Sequence, residues 1–289
     1  MQYGMTLPTM ARGYDRATTL EWCRRIDDGP YASVSAGERI TFHNQEQMVV
    51  LAAAAALTSR VRIVPTITVL PMHPVALVAK RMATLDVLSG GRLTVGLGVG
   101  GREDDYRAAE STFERRLSRL DDKVGQLRRL WAGAAPETGG DPVGPAPKQP
   151  GGPPLLCSSL GPQSLSRGAR WADGYAGFTL AAEPGELQDT ADRVRQAWTD
   201  AGRSEPPFLM TSFWFSLGDG ARERHERYVR EYMAVEPAVA DFMVAAAVLW
   251  SEEAVSAAIT AARDAGFDEL MFVPTTTDPA ELDRLAPLL

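Results

Sequence analysis

Cysteine and histidine are scarce in this chain, and no long apolar run occurs in it. The 289 residues include two cysteines, Cys23 and Cys157, and three histidines. Two cysteines cannot build the disulfide framework of a secreted domain, which favours a reducing compartment. The longest apolar run, residues 48–57, is too short to cross a bilayer, and no charged and apolar leader opens the chain. We therefore expect a cytoplasmic protein without a membrane span.

Positive charge is also in the minority. Lysine and arginine number 30 against 37 aspartates and glutamates, so the formal net charge is −7. Nucleic-acid binding needs a concentrated basic surface, and the sequence contains none, so we expect no nucleic-acid partner. The chain is 45% hydrophobic and 23% charged, which is typical of a globular protein.

Eight predicted strands alternate with helices along the whole chain. We place them at residues 3–7, 31–35, 62–70, 92–99, 155–158, 174–179, 208–217 and 268–273. Eight βα units in fewer than 300 residues predict an α/β fold of the (β/α)8 TIM-barrel type. The proline- and glycine-rich residues 133–154 form an irregular insertion before the fifth strand. A doubly wound sheet usually has fewer strands or a second domain, so we expect residues 1–289 to form a single barrel domain.

The fourth predicted strand ends in a glycine-rich stretch. Gly96, Gly98 and Gly101 match the pattern G-x-G-x-x-G, which is also found in dinucleotide-binding folds. We expect no helix directly after it, and the acidic residues 103–105 would repel a pyrophosphate. We therefore interpret the glycines as clearance for a flat ligand at the barrel mouth, the end of the fold where barrel enzymes bind their ligands.

Several polar and aromatic residues have predicted structural roles. We expect Asp86 and Arg92 to pair and hold a helix against the following strand. We expect His73 to be structural and His225 to be solvated, because charged residues surround it in the sequence. Trp214, with Phe213 and Phe215 beside it, is a candidate wall of an apolar pocket. We identify no cluster with metal-ligand spacing and no G-x-S-x-G elbow.

The fifth predicted strand leads directly into a helix through Ser158, Ser159, Leu160, Gly161 and Pro162. Free backbone N–H groups and the helix dipole make such a junction suitable for an anion. Two hydroxyls and a glycine favour the same interpretation. We expect a phosphate group to bind here, with an ordinary helix cap as the alternative.

The chain resembles the luciferase-like monooxygenase superfamily. Residues 69–101 carry the resemblance, reading VLPMHPVALVAKRMATLDVLSGGRLTVGLGVGG, and it extends to LAAAAALTSRVRI before them and RGARWADG after them. It implies a barrel that binds a flavin or the deazaflavin coenzyme F-420. It also implies a non-prolyl cis peptide in the third strand, which the register places near Thr66–Ile67, within a residue or two. It further implies cofactor contacts from Gly98 and Val99, and it identifies the phosphate expected at residues 158–162 as that of the cofactor.

The resemblance implies catalytic residues just after the second strand, where relatives have a histidine or aspartate. Here that place holds Glu38 and Arg39. His43 follows them and is a further candidate, with an ordinary surface-loop histidine as the alternative. Arg39 stands where luciferases have a histidine, and an arginine stays protonated, so it cannot act as a base. Gly98 stands where luciferases have a reactive cysteine. Both departures argue against light emission and against a luciferase-like peroxyflavin reaction.

Four functional hypotheses remain open. The leading one is an F-420-dependent oxidoreductase that transfers a hydride to or from a small organic substrate. The others are an FMN-dependent monooxygenase, a family member without catalysis, and an aldolase- or isomerase-type barrel. The aldolase- or isomerase-type barrel is the weakest hypothesis, because it would need a lysine nucleophile at a strand end. The lysines are Lys80, Lys123 and Lys148, and none lies at a predicted strand end. The resemblance also implies a homodimer, packed through the alanine-rich residues 52–56, which a light-scattering mass would test.

Overall fold

A computed structural model describes residues 1–158, 161–234 and 237–289 of the chain. Within these ranges, nine strand segments form one parallel sheet. They are β1 Gln2–Thr6, β2 Ser33–Ala36, β3 Arg62–Pro65, β4 Thr68–Val69, β5 Val95–Gly98, β6 Leu155–Cys157, β7 Gly174–Ala176, β8 Phe208–Phe215 and β9 Glu269–Pro274. Every predicted strand is present, so the α/β TIM-barrel fold is confirmed.

The sheet curls into a barrel because its two outermost segments are halves of one strand. Its order is β3-β2-β1-β9-β8-β7-β6-β5-β4. β3 pairs with β2, and β4 pairs with β5. Only Thr66 and Ile67 separate β3 from β4, and an isolated parallel bridge between Ile63 and Leu93 joins β3 to the chain before β5. The nine segments therefore correspond to eight barrel strands.

Helices surround the barrel, and several begin at side-chain caps. They are α1 Arg16–Asp28, α2 Gln47–Leu57, α3 Val75–Leu88, α4 Glu103–Ala108, α5 Arg116–Trp131, α6 Pro162–Gly168, α7 Pro184–Asp200, α8 Ala221–Tyr232, α9 Pro237–Ala246, α10 Glu252–Asp264 and α11 Ala280–Leu285. Asp15 caps α1 by accepting from the Thr18 N–H, and Ser251 caps α10 by accepting from the Ala254 N–H. Such oxygens satisfy backbone donors that have no partner inside the helix.

The barrel interior has an apolar layer above a polar floor. Side chains from five different strands pack as one separate cluster, namely Val64, Leu156, Ala176, Met210 and Met271. At the amino-terminal end of the barrel, the fully buried Glu269 accepts from Ser33 Oγ at 2.5 Å and pairs with Arg62 at 2.6 Å. The buried carboxylate is thereby neutralised, and the opposite end of the barrel is left for the site.

Two helices differ from the sequence prediction. α4 begins at Glu103, two residues after the glycine motif, although no helix was expected there. Its first turn still carries three carboxylates, so it does not favour a pyrophosphate. α9 was not predicted as a separate helix, because an apolar run of ten residues has no periodic polar face to reveal it.

The expected pair between Asp86 and Arg92 is wrong. Asp86 instead accepts from the backbone and side chain of Gln149, which anchors the irregular insertion 133–154 to α3. Arg92 donates to backbone oxygens of Ala55, Thr58 and Val61 and joins the end of α2 to β3. Both groups are satisfied by segments that only the barrel brings beside them.

His225 is fully buried, so the expectation of a solvated histidine is wrong. It lies on the face of α8 that also carries the buried Ala221, Tyr228 and Val229. The spacing of these positions is three or four residues, which is the helical period. Burial lowers the pKa of the His225 imidazole to about 4, against an opposing effect of Glu226.

No helix in the described part of the chain is long and apolar enough to cross a membrane. The described ranges also contain no group of three or more histidine, cysteine, aspartate or glutamate side chains placed to hold a metal ion.

On α2 and α3, Val49, Leu57 and Leu77 are 69%, 44% and 42% exposed. The homodimer that would cover them stays a prediction.

Candidate active site

A cavity of about 710 Å³ opens at the carboxyl ends of the barrel strands. Its walls come from strand ends, namely Thr6, Gly37, Thr66, Ile67, Ser158, Ala176, Met210, Ser212, Trp214 and Val273. Its cover comes from α8, α9 and the turn between them, namely Tyr228, Tyr232, Met233, Met243 and Ala246. Most of these side chains are apolar or aromatic, as in pockets that bind flat organic ligands.

A non-prolyl cis peptide bond joins Thr66 to Ile67 on the wall of this cavity. The position predicted from the resemblance is confirmed. A Cβ atom added at Gly98 would lie 2.2 Å from Ile67 Cδ1, and one added at Gly96 would lie 2.8 Å from the Pro65 carbonyl oxygen. These two glycines therefore make room for the neighbouring strand rather than for a ligand, which corrects our interpretation of the motif.

Gln47, which the sequence analysis overlooked, braces the cis segment from below. Its Nε2 donates to the Ala36 carbonyl at 2.8 Å and to the Ile67 carbonyl at 3.3 Å. Its Oε1 accepts from Thr68 Oγ1 at 2.8 Å. The side chain is 2% exposed, and a buried amide with all these partners fixes the backbone that it contacts. The end of β2 and the cis segment are thus held together.

Glu38 follows β2, but its carboxylate faces the protein rather than the cavity. One oxygen accepts from the Val69 N–H at 2.6 Å, and the other lies 2.7 Å from His73 Nε2. The Glu38 side chain is 5% exposed. This pair ties the loop after β2 to the start of α3, and it gives His73 the structural role that we expected.

Arg39 is also committed to protein partners. Its Nε donates to Asp105 at 3.1 Å, and its guanidinium lies over the rings of Phe42 and Tyr232. Burial lowers the pKa of Arg39, and the nearby guanidinium of Arg102 lowers it further. Burial alone would raise the pKa of Asp105, but hydrogen bonds from Thr41 and the charge of Arg39 keep it below its usual range.

His43 lies outside the large cavity. It lines a separate pocket of about 250 Å³ with Thr9, Tyr14 and others, and its Nδ1 is 3.9 Å from Glu231. Thus the structure does not bring Glu38, Arg39 and His43 to one reacting centre. Their catalytic roles stay predictions, as do the cofactor contacts of Gly98 and Val99, which do not line the large cavity.

An arginine and two tyrosines that line the cavity were not identified from the sequence. Arg102 lies at its mouth, and Tyr228 and Tyr232 cover it. Burial raises the pKa of Tyr228, with a further rise from Tyr232. The two tyrosines are four residues apart on α8, which places them on one helix face, and that spacing was the available signal. Trp214 lines the cavity as expected, whereas Phe213 and Phe215 are fully buried core residues.

A second groove of about 470 Å³ continues outward from the cavity between α6 and α7. Phe178 and Glu186 line both spaces. Gly161 and Pro162 form part of the groove, and Arg193 provides a guanidinium opposite them. Of the predicted phosphate-binding residues, Ser158 lines the large cavity, and Ser159 lies outside the described residues. Phosphate binding at these positions stays a prediction.

The family profile described as luciferase-like monooxygenase matches residues 1–266. The chain therefore belongs to the luciferase-like monooxygenase family, as the sequence resemblance indicated. This membership defines the class of protein: an enzyme of the luciferase-like family on a TIM-barrel fold, with a cavity at the carboxyl ends of its strands.

Among curated proteins, the pyrimidine monooxygenase RutA of Escherichia coli is 31% identical over 200 residues, covering 64% of this chain and 54% of that protein. The chain thus spans about half the length of the curated relatives it matches. The monooxygenase RslO1 from Streptomyces bottropensis superposes with a TM-score of 0.81 at 25% identity, covering 100% of this chain and 97% of the other. An F420-dependent secondary alcohol dehydrogenase superposes with a TM-score of 0.80 at 18% identity, covering 100% of this chain and 98% of the other. At that identity the likeness shows a shared fold.

Proposed function

We propose that this protein is a flavin-dependent monooxygenase that uses reduced FMN and oxygen to oxygenate a small, largely apolar organic molecule. The single observation that carries the proposal is the apolar, aromatic cavity beside the Thr66–Ile67 cis peptide. RutA and RslO1, the relatives reported above at 25% identity or more, are both named monooxygenases, which supports oxygenation over hydride transfer.

The residues present fit a bound flavin. The cavity wall at Thr66–Ile67 offers backbone and apolar side chain to a flat ring, while Met210 and Trp214 lie on β8 across the cavity. The outer groove could take the ribityl phosphate, with Arg193 as a counter-charge. Glu186 and Asp200 line the same groove. With two carboxylates and one guanidinium, the groove repels a polyanionic tail such as that of F-420 more strongly than a single phosphate.

When bound, reduced flavin would supply the two electrons needed to place one oxygen atom in the substrate and release the other as water. The chain's own contribution is positioning and exclusion of water. Gln47 holds the cis segment, and the α8–α9 cover places Tyr228, Tyr232 and Met243 over the cavity. Excluding water suppresses wasteful side reactions of an activated cofactor.

Hydride transfer to a carbonyl would additionally need a proton donor at the carbonyl oxygen. Among the described residues that line the cavity, none is a histidine, aspartate or lysine, and the hydroxyls of Tyr228 and Tyr232 are the candidate donors. Glu186 lines its outer edge, where it accepts from Thr179 Oγ1 at 2.9 Å. We prefer oxygenation because RutA and RslO1 are named monooxygenases, and the cofactor titration below separates it from the F-420 hypothesis.

The test is a fluorescence titration of the purified protein with FMN and, separately, with F-420. We expect FMN to bind. In a turnover assay, an added reductase reduces FMN with NADH, and we expect this reduced FMN to support oxygen-dependent conversion of small aromatic compounds. Binding of F-420 without FMN would reject the proposal in favour of hydride transfer. Binding of neither cofactor would reject both.

A matched pair of glycine variants places the binding site. Gly37 lines the cavity, and a Cβ there would lie 3.3 Å from Met10 and 3.6 Å from the Thr66 carbonyl. Gly37→Leu should therefore fill the space beside the cis segment and abolish flavin binding. Gly101→Leu is the control, because no atom lies within 4 Å of a Cβ at that exposed position. Equal binding by both variants would place the flavin elsewhere.

A further inference from the structure

An arginine without a carboxylate partner lies at the edge of the apolar cavity. Arg102 lines the cavity. Its Nη2 donates to the Tyr232 carbonyl at 2.8 Å and contacts Met233 Sδ at 3.5 Å. Its Nε is buried and has no hydrogen-bond partner. Within the described residues, no carboxylate lies at ion-pair distance from this guanidinium.

Among the residues that the structure describes, no carboxylate balances the charge of Arg102. Arg102 and Arg39 lie over the same Tyr232 ring, at 4.6 Å and 5.5 Å from its centroid. Asp105 is the carboxylate of this group, and it pairs with Arg39 at 3.1 Å. Two guanidiniums therefore share one carboxylate, and the excess positive charge belongs to the residue that faces the cavity. The proximity of the two cations also shows in the pKa of Arg39, which the charge of Arg102 lowers.

The rest of the cavity surface is suited to an aromatic body. Trp214 packs edge-on against Phe178 at 4.6 Å and against Tyr232 at 5.4 Å. Aromatic faces and methionine side chains bind flat rings without demanding one hydrogen-bond pattern. A buried donor with no partner, by contrast, is costly unless a ligand accepts its hydrogen bond.

We propose that Arg102 is a substrate-anchoring residue, and that the substrate class is an aromatic or conjugated organic anion, such as a carboxylate. The anionic group accepts from the free Nε–H of the guanidinium, and the ring lies among Trp214, Tyr232 and the methionines. Binding of the anion is independent of the proposed function, whereas calling that ligand the substrate rests on it. The alternative source of the same anionic chemistry is the phosphate of FMN.

The experiment compares two probes of equal shape, 2-naphthoate and neutral 2-naphthamide, by calorimetry on the protein with and without FMN. Charge-assisted hydrogen bonds should favour the anion on the order of 10- to 100-fold. Arg102→Gln should remove this preference, and Arg102→Lys should keep most of it because the charge remains. Arg107→Gln is the matched control, since Arg107 is 69% exposed and pairs with Asp104.

A second arm compares FMN with riboflavin, which lacks the phosphate. We expect Arg102→Gln to leave the preference for FMN over riboflavin unchanged. Loss of that preference would assign the guanidinium to the cofactor and overturn the proposal. A wild-type protein that binds both naphthalene probes equally would also overturn it, even if Arg102→Gln does not fold. Because calorimetry works without flavin, failure of FMN binding would reject the proposed function and leave the anion preference measurable.

Discussion

The close approach of Gly98 to Ile67 allows a sharp test of how the cis segment is packed. Gly98 lies in β5 and is buried, and its backbone can accept an ordinary residue because its φ is not in the left-handed region. A methyl group there would lie 2.2 Å from Ile67 Cδ1, but 3.5 Å from Ile67 Cγ1 and 3.4 Å from Ser158 Cβ. One atom of one side chain therefore makes the severe clash.

The magnitude follows from this geometry. Overpacking a core by one methyl costs about 1–3 kcal/mol, and we expect Gly98→Ala to lower the free energy of unfolding by that amount. Ile67→Val removes Cδ1 and should alone cost about 0.5–1.5 kcal/mol. In the double variant the clash is absent, so the two changes should be non-additive, recovering about 1–2 kcal/mol.

Urea unfolding of the wild type, both single variants and the double variant measures this coupling. Gly125→Ala is the control, because a Cβ at that helical position meets no atom within 4 Å, and alanine favours a helix over glycine. Since Ile67 also lines the cavity, Gly98→Ala should weaken flavin binding, and the added Ile67→Val should restore it. If the double variant lost the sum of the unfolding free energies lost by Gly98→Ala and Ile67→Val, the clash and the packing argument would both be refuted.

Two further predictions concern Glu38 and His225. Glu38→Ala should cost about 2–4 kcal/mol in urea unfolding, because it leaves the Val69 N–H and His73 Nε2 without their partner; Glu38→Gln should cost much less. A Glu38→Gln variant with wild-type stability but no turnover would instead favour the catalytic role. The lowered pKa of His225, about 4 in the fold, favours its neutral form, so its contribution is complete above pH 6.5 and falls as the pH drops towards 4. Between pH 7 and 5 the free energy of unfolding should fall by roughly 2 kcal/mol through His225, and His225→Phe should abolish that fall. His43→Gln is the control. A His225→Phe variant whose unfolding midpoint keeps the wild-type pH profile would contradict this.

Much of the fold could be predicted because its signals are local. The β-branched run at residues 62–70 predicted the third barrel strand, and the alternation of eight such units predicted the barrel. The cis peptide at Thr66–Ile67 was placed to within a residue or two by register against the family that the chain resembles. Strand ends differ by at most three residues from their predicted positions. The burial of His225 was also readable, because its helical spacing to Tyr228 and Val229 outweighs its charged sequence neighbours.

The contents of the site could not be predicted in the same way. Residues just after β2 were expected to reach the ligand, and instead Glu38 and Arg39 bind His73 and Asp105. The groups that face the cavity, Arg102 and Tyr232, are 130 residues apart in the chain. No local pattern reports that a helix from one βα unit will cover the strand end of another.

The sequence by itself determined the barrel, the family and the position of the cis segment, because each depends on the order of residues within one or two adjacent elements. Only the tertiary structure decided that Gly96 and Gly98 serve the neighbouring strand and that Gln47 braces the cis segment. It alone placed beside an aromatic cavity a guanidinium that has no carboxylate partner among the described residues. The physical reason is that burial, hydrogen-bond satisfaction and charge balance are properties of the assembled barrel mouth, where segments far apart in the chain first meet.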